Sequence, residues 1–131
     1  CALPIYDSDK KDIFEATLSF LLRNKVPAAY FNMLTPHKGS PLYDRLEAEG
    51  RIVDVDGIGR WPGMTCHIKL KNFSATELIQ QIKGLHRRFY SYRSMLVRLP
   101  LPLTEAAVAS WTINMAERKS FKEEAENFDE F

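Results

Sequence analysis

The stretch that most tightly constrains this chain begins with Ser74-Ala75-Thr76-Glu77, a capping box in which Ser and Glu sit three residues apart. Behind it Leu78, Ile82, Leu85, Phe89, Tyr92 and Leu96 recur at helical spacing. They predict one helix of about five turns with a single apolar face. Pro100 and Pro102 end it, and Thr104 caps a further helix carrying Val108, Trp111 and Met115. From Glu117 onward the sequence reads as a charged tail.

The first half has a different grammar. Ala2 to Tyr6 is a short apolar run stopped by Asp7-Ser8-Asp9, as at the end of a buried strand. Ile13, Phe14, Thr17, Leu18, Leu21 and Leu22 predict an amphipathic helix over Asp12 to Asn24, with Asp12 and Glu15 placed for a second capping box. Val26 to Leu34, with Val26, Tyr30 and Phe31, predicts a buried parallel strand. After a turn over Thr35 to Pro41, Ser40 and Pro41 open a helix to Glu49 with Leu42 and Leu46 inward and Gly50 at its close. A lone parallel strand cannot satisfy its own backbone, so this α/β segment expects neighbouring strands. Beyond Gly50, Ile52 to Val55 reads as a short extended piece. Asp56 to Met64, with Gly57, Gly59, Gly63 and Trp61-Pro62, reads as a loop. Cys66 to Leu70 alternates as a half-solvated strand does.

Several kinds of chemistry are disfavoured. With 131 residues, 45% of them hydrophobic, the chain is one ordinary domain with a core. Its 18 Lys and Arg against 17 Asp and Glu create no global field for nucleic acid or an anionic membrane. No apolar run approaches the roughly 20 residues of a membrane span. Two cysteines, Cys1 and Cys66, make neither a disulfide framework nor a four-thiolate cluster site, and a reducing cytoplasm is the expected setting. No close His or Cys pair marks a metal site. Cys66 and His67 are adjacent and point to opposite strand faces, predicting a core thiol beside a surface imidazole, while His37 and His86 are isolated. Gly57-Ile58-Gly59 lacks the strand, third glycine and helix of a dinucleotide site. His86, Arg87, Arg88, Arg93 and Arg98, interleaved with Phe89, Tyr90 and Tyr92, look like a nucleic-acid surface. Core on one helix face and solvated charge on the other explains most of that pattern, so a nucleic-acid partner is not expected.

The segment from Phe31-Asn32-Met33-Leu34-Thr35-Pro36 through Gly39-Ser40-Pro41-Leu42-Tyr43 to Arg51-Ile52 resembles the end of the catalytic barrel in radical S-adenosylmethionine enzymes, in the branch with an N-terminal cobalamin-binding domain. Ile5 to Asp9 is similar to the end of the fifth barrel strand, and Leu85 to Leu99 to the helix of that branch's C-terminal extension. The resemblance thus covers the chain to about Leu99. It implies an α/β fragment, the end of a partial TIM-type barrel over residues 1–52, followed by a mainly helical extension over 53–131 with a short strand at 66–70.

It also implies a parent enzyme that uses a 4Fe-4S cluster to cleave S-adenosylmethionine to a 5′-deoxyadenosyl radical, often with cobalamin carrying a methyl group, as a methyltransferase or a cyclase. The cluster motif Cys-x-x-x-Cys-x-x-Cys is absent from these 131 residues, so the chain holds no such cofactor and is expected to be inactive alone. No catalytic or metal-ligating residue is expected in it. Only Leu34, Thr35 and Pro36, the turn after the sixth strand, match a family position beside the adenine, where backbone and apolar contacts suffice. The chain starts with Cys rather than Met and is expected to be the C-terminal part of a longer protein. Its partners would be the barrel and cobalamin domain, with an unknown substrate, and an exposed apolar surface would permit self-association. The alternative reading is an autonomous helical protein-interaction module.

Overall fold

A computed structural model describes residues 10–53, 66–100, 102 and 104–128, with side chains in the last helix to Lys122. Five helices account for most of them: α1 (Ile13–Arg23), α2 (Pro41–Ala48), α3 (Ala75–Phe89), α4 (Tyr92–Arg98) and α5 (Glu105–Phe128). The chain divides into two compact units. One joins Tyr30–Lys83 to the segment ending at Phe14, and the other joins Glu15–Ala29 to everything from Gly84 onward. The expected runs at Ala2 to Tyr6 and Asp56 to Met64 lie outside the described residues.

Helix α1 lies where its periodicity put it, with Phe14, Leu18 and Leu21 buried. Its predicted capping box does not form. The Ile13 amide donates instead to the Lys10 carbonyl at 3.1 Å, and both carboxylate oxygens of Glu15 are held by the Arg88 guanidinium. The C-terminus closes as a Schellman motif, Val26 N–H donating to Leu21 O at 3.0 Å and Lys25 N–H to Leu22 O at 3.1 Å. That motif needs a left-handed residue, and here a lysine supplies it, at φ 48°.

In the first unit, Phe31, Met33, Tyr43, Leu46, Ile68, Phe73, Leu78 and Ile82 are buried, and the rings of Phe14 and Phe73 meet edge-on at 5.8 Å. Helix α2 is bounded as its sequence requires. Ser40 Oγ accepts from Tyr43 N–H at 3.2 Å, Pro41 takes the first position, and Gly50, at φ 64°, closes a second Schellman motif through Gly50 N–H to Glu47 O and Arg51 N–H to Leu46 O, both at 2.9 Å. The Ser74 and Glu77 capping box forms in full: Glu77 N–H donates to Ser74 Oγ at 3.1 Å and Ser74 N–H to Glu77 Oε2 at 3.0 Å.

No strand is assigned at Val26 to Leu34, contrary to expectation. Burial nonetheless alternates, Ala29, Phe31 and Met33 in, Tyr30 and Asn32 out. That is the two-residue period of a pleated chain without a ladder beside it. The physical reason is the missing neighbours: the described residues offer no second strand to pair with. The expected strand at 66–70 likewise shrinks to one antiparallel bridge, Ile68 with Ile52, through Val53 N–H to His67 O at 2.9 Å and Lys69 N–H to Arg51 O at 2.8 Å.

The second unit corrects the longest expected element. The run from 75 to 98 is not one helix but two, broken at Tyr90 and Ser91. Ser91 restarts the helix by accepting from Ser94 N–H at 3.3 Å while its hydroxyl donates to Arg88 O at 2.8 Å. The restart rotates the register, so Tyr92 and Leu96 stand 53% and 61% exposed, while Ser94, Met95 and Arg98 turn inward. Helix α5 also continues where a charged tail was expected. Its most buried described residues are Ala107 and Asn114, with Val108 exposed.

Candidate functional site

The turn singled out by resemblance, Leu34, Thr35 and Pro36, leads into α2. Leu34 and Thr35 are half-buried and Pro36 is fully buried. Thr35 Oγ1 donates to Met33 O at a long 3.5 Å. The next residues tie the turn to the helix: His37 O accepts from Ser40 N–H at 3.1 Å and from Ser40 Oγ at 2.7 Å. Between them Gly39 sits at φ 83°, a left-handed position that suits a residue without Cβ. The turn is therefore a braced connection whose first two side chains are partly accessible and whose third belongs to the core.

The Cys66 and His67 pair is inverted relative to expectation. His67 is the buried member, 1% exposed, and neither ring nitrogen has a hydrogen-bond partner among the described residues. Cys66 is half-buried, its Sγ donating to Ile68 O at 3.2 Å, and burial raises its thiol above the ordinary cysteine range. With only one bridge to impose a pleat, His67 and Ile68 are both buried and the strict alternation is lost. A thiol whose pKa burial raises is protonated at neutral pH and is a poor nucleophile. Among the described residues no three His, Cys, Asp or Glu side chains gather as a metal site.

The strongest polar construction lies in the second unit around Arg98, which the sequence had placed on a solvated face. Arg98 is 3% exposed and all five of its N–H donors are engaged. Nη1 donates to Val26 O at 2.8 Å and Pro27 O at 2.7 Å, Nη2 to Phe89 O at 2.9 Å and Asn114 Oδ1 at 2.8 Å, and Nε to Ser94 Oγ at 3.3 Å. None of these acceptors is a carboxylate. The guanidinium lies 3.7 Å from the centre of the Phe89 ring, and desolvation brings its pKa down to about 10, so it stays charged at neutral pH. Asn114 completes the knot by donating to Pro27 O at 2.8 Å and Ser110 O at 2.7 Å.

Close by in the same unit, a cleft of about 250 Å³ is lined by His86, Arg87, Tyr90, Arg118, Phe121 and Lys122. His86 stacks on Phe121 with ring centres 3.9 Å apart and meets Tyr90 at 4.5 Å. Burial lowers the His86 pKa to about 4, so the imidazole is neutral at physiological pH. Arg118 Nη1 donates to Tyr90 O at 3.0 Å, and its guanidinium lies 4.5 Å from the centre of the Tyr92 ring. The signal for this wall was present in the sequence: Ala107, Trp111, Asn114, Arg118 and Phe121 follow a four-three-four-three spacing. The charged residues from Glu117 onward disguised its last turns as a tail.

Compared with known proteins, the chain is 24% identical over 115 residues to bacteriochlorophyllide d C-12(1)-methyltransferase of Chlorobaculum tepidum. The alignment takes in 87% of this chain and 25% of that protein, so the chain spans about a quarter of its relative's length. No family model and no solved structure matches the chain. No helix among the described residues is long and apolar enough to cross a membrane.

Proposed function

We propose that this chain is the C-terminal part of a cobalamin-type radical S-adenosylmethionine enzyme, of the methyltransferase kind, and that it has no activity alone. The observation that carries the reading is the alignment of 87% of the chain with one quarter of a methyltransferase, over the residues whose motifs resemble the end of such a barrel. Residues 1–52 would supply the last α/β units, and residues 53–131 an extension that closes the barrel and shapes the substrate site. The absence of an assigned strand at Val26 to Leu34, despite its alternating burial, fits a segment whose pairing partners lie elsewhere in a parent protein. Leu34 and Thr35 would offer the adenine apolar and backbone contact, with Pro36 fixing the turn from below. The 4Fe-4S cluster and cobalamin would be bound by the rest of the parent, which would also hold S-adenosylmethionine apart from this adenine contact.

The decisive observation is the reading frame upstream of Cys1. A Cys-x-x-x-Cys-x-x-Cys roughly 150 to 200 residues earlier, a barrel-sized distance, is the expected result. A start codon within a few residues of Cys1 would overturn the proposal. The reconstituted parent should then release 5′-deoxyadenosine from S-adenosylmethionine under reducing, anaerobic conditions, and the 131-residue chain alone should not.

A further inference from the structure

The two buried or half-buried arginines of the second unit differ in one respect. Arg98 spends every donor on the protein, whereas Arg118, among the described residues, spends one, on Tyr90 O, and lines the cleft beside His86 and Phe121. Arg87, on the same cleft, is exposed and has no hydrogen bond or ion pair among the described residues. Lys122 adds a third cation, and no carboxylate is among the described lining residues. The remaining wall is aromatic: His86, Tyr90 and Phe121. Because His86 is neutral at physiological pH, it contributes ring surface rather than charge. Unspent guanidinium forks beside an apolar wall are the combination that holds an oxyanion attached to a flat hydrophobic group.

We propose that this cleft binds a small organic anion, a carboxylate or phosphate monoester on a single planar ring, with the oxyanion on Arg118 and Arg87 and the ring against Phe121, His86 and Tyr90. The volume sets the size. About 250 Å³ lies under the range of drug-sized sites, which begins at about 300 Å³, so one ring fits and a multi-ring ligand does not. The inference does not rest on the barrel reading, since it is argued from the cleft's own side chains and uses neither the turn at Leu34 to Pro36 nor any bound cofactor.

The test is an amide-shift titration of the isotopically labelled 131-residue chain with phenyl phosphate and with benzoate, using phenol as the neutral control. The expected result is saturable binding of at least one anion, with Kd of the order of millimolar for a ligand of about ten heavy atoms. Shifts should centre on His86, Arg87 and residues 118–122, and phenol should fail to saturate. Phenyl phosphate bound with benzoate excluded assigns a phosphate monoester, and the reverse assigns a carboxylate. Arg87→Ala, which removes no internal partner, should weaken the bound anion about fivefold, the size of one solvent-screened charge contact. Saturation by phenol at equal strength, no saturation by either anion, or undiminished affinity in R87A would overturn the proposal.

Discussion

A guanidinium out of water is stable only when its donors are met, and Arg98 achieves this with carbonyl, amide and hydroxyl oxygens alone. Removing it leaves the acceptors at Val26, Pro27, Phe89 and Asn114 without that donor, so Arg98→Met should destabilise the second unit by about 3 kcal/mol. Asn114→Ala should cost about 1–3 kcal/mol. The double variant should cost less than the sum, because the two residues share one bond and the Pro27 carbonyl. Urea midpoints of the four proteins measure the cycle, and strict additivity would contradict the knot. Lys25 presents the opposite case. It holds a left-handed φ of 48° solely to close α1, a conformation that strains a residue with a Cβ. Lys25→Gly should therefore raise stability by about 0.5–1 kcal/mol in the same assay, even after the added freedom of the unfolded chain.

At the scale of elements, what was legible in the sequence was whatever short-range chemistry decides. Ser40-Pro41 and Gly50 bound α2, and Ser74 with Glu77 starts α3, because each device spans only a few residues. What was not legible depended on distant partners. Asp12 and Glu15 have capping-box spacing, but Arg88, 73 positions from Glu15, takes the carboxylate. The stripe through Phe89, Tyr92 and Leu96 looks continuous, yet the Tyr90 hydroxyl, which donates to Ala29 O at 2.9 Å, draws Tyr90 inward where a continuous helix would place Tyr92. The same limit applies to the candidate sites. The turn at Leu34 to Pro36 is a candidate by resemblance alone, whereas Arg98 and Arg118 became visible only with their partners. If Ser91 merely caps a break that the Tyr90 bond maintains, Ser91→Ala should lower stability by about 1 kcal/mol without lengthening the helices. Thermal unfolding reads the first effect and far-ultraviolet circular dichroism the second. A gain in helicity would show that the serine itself, rather than Tyr90, makes the break.

For the whole chain, acid should act on the two units through different groups. His86, in the second unit, is held neutral by burial, its pKa lowered from 6.5 to about 4. As pH falls below 6.5 the unfolded state takes up this proton first, so stability declines through that interval and the decline from this group ends near 4. Glu77, in the first unit, is held ionised, its pKa lowered from 4.5 to about 2 by the Ser74 amide, then by the Lys11 ammonium 2.9 Å away and the Ser74 hydroxyl. Its contribution is complete above 4.5 and lost as pH falls toward 2. Glu15, lowered by Arg88, adds a loss of the same sign in the second unit. Thermal midpoints recorded across this range should therefore fall in two stages. His86→Phe, which preserves a ring against Phe121 and Tyr90, should flatten the decline between 6.5 and about 4 and leave the lower stage in place. Glu77→Gln should do the reverse, lying below the parent at neutral pH and converging with it as pH approaches 2. If His86→Phe left the upper stage unchanged, the imidazole would titrate alike in the folded and unfolded chain, and burial would not be what keeps it neutral between 6.5 and about 4.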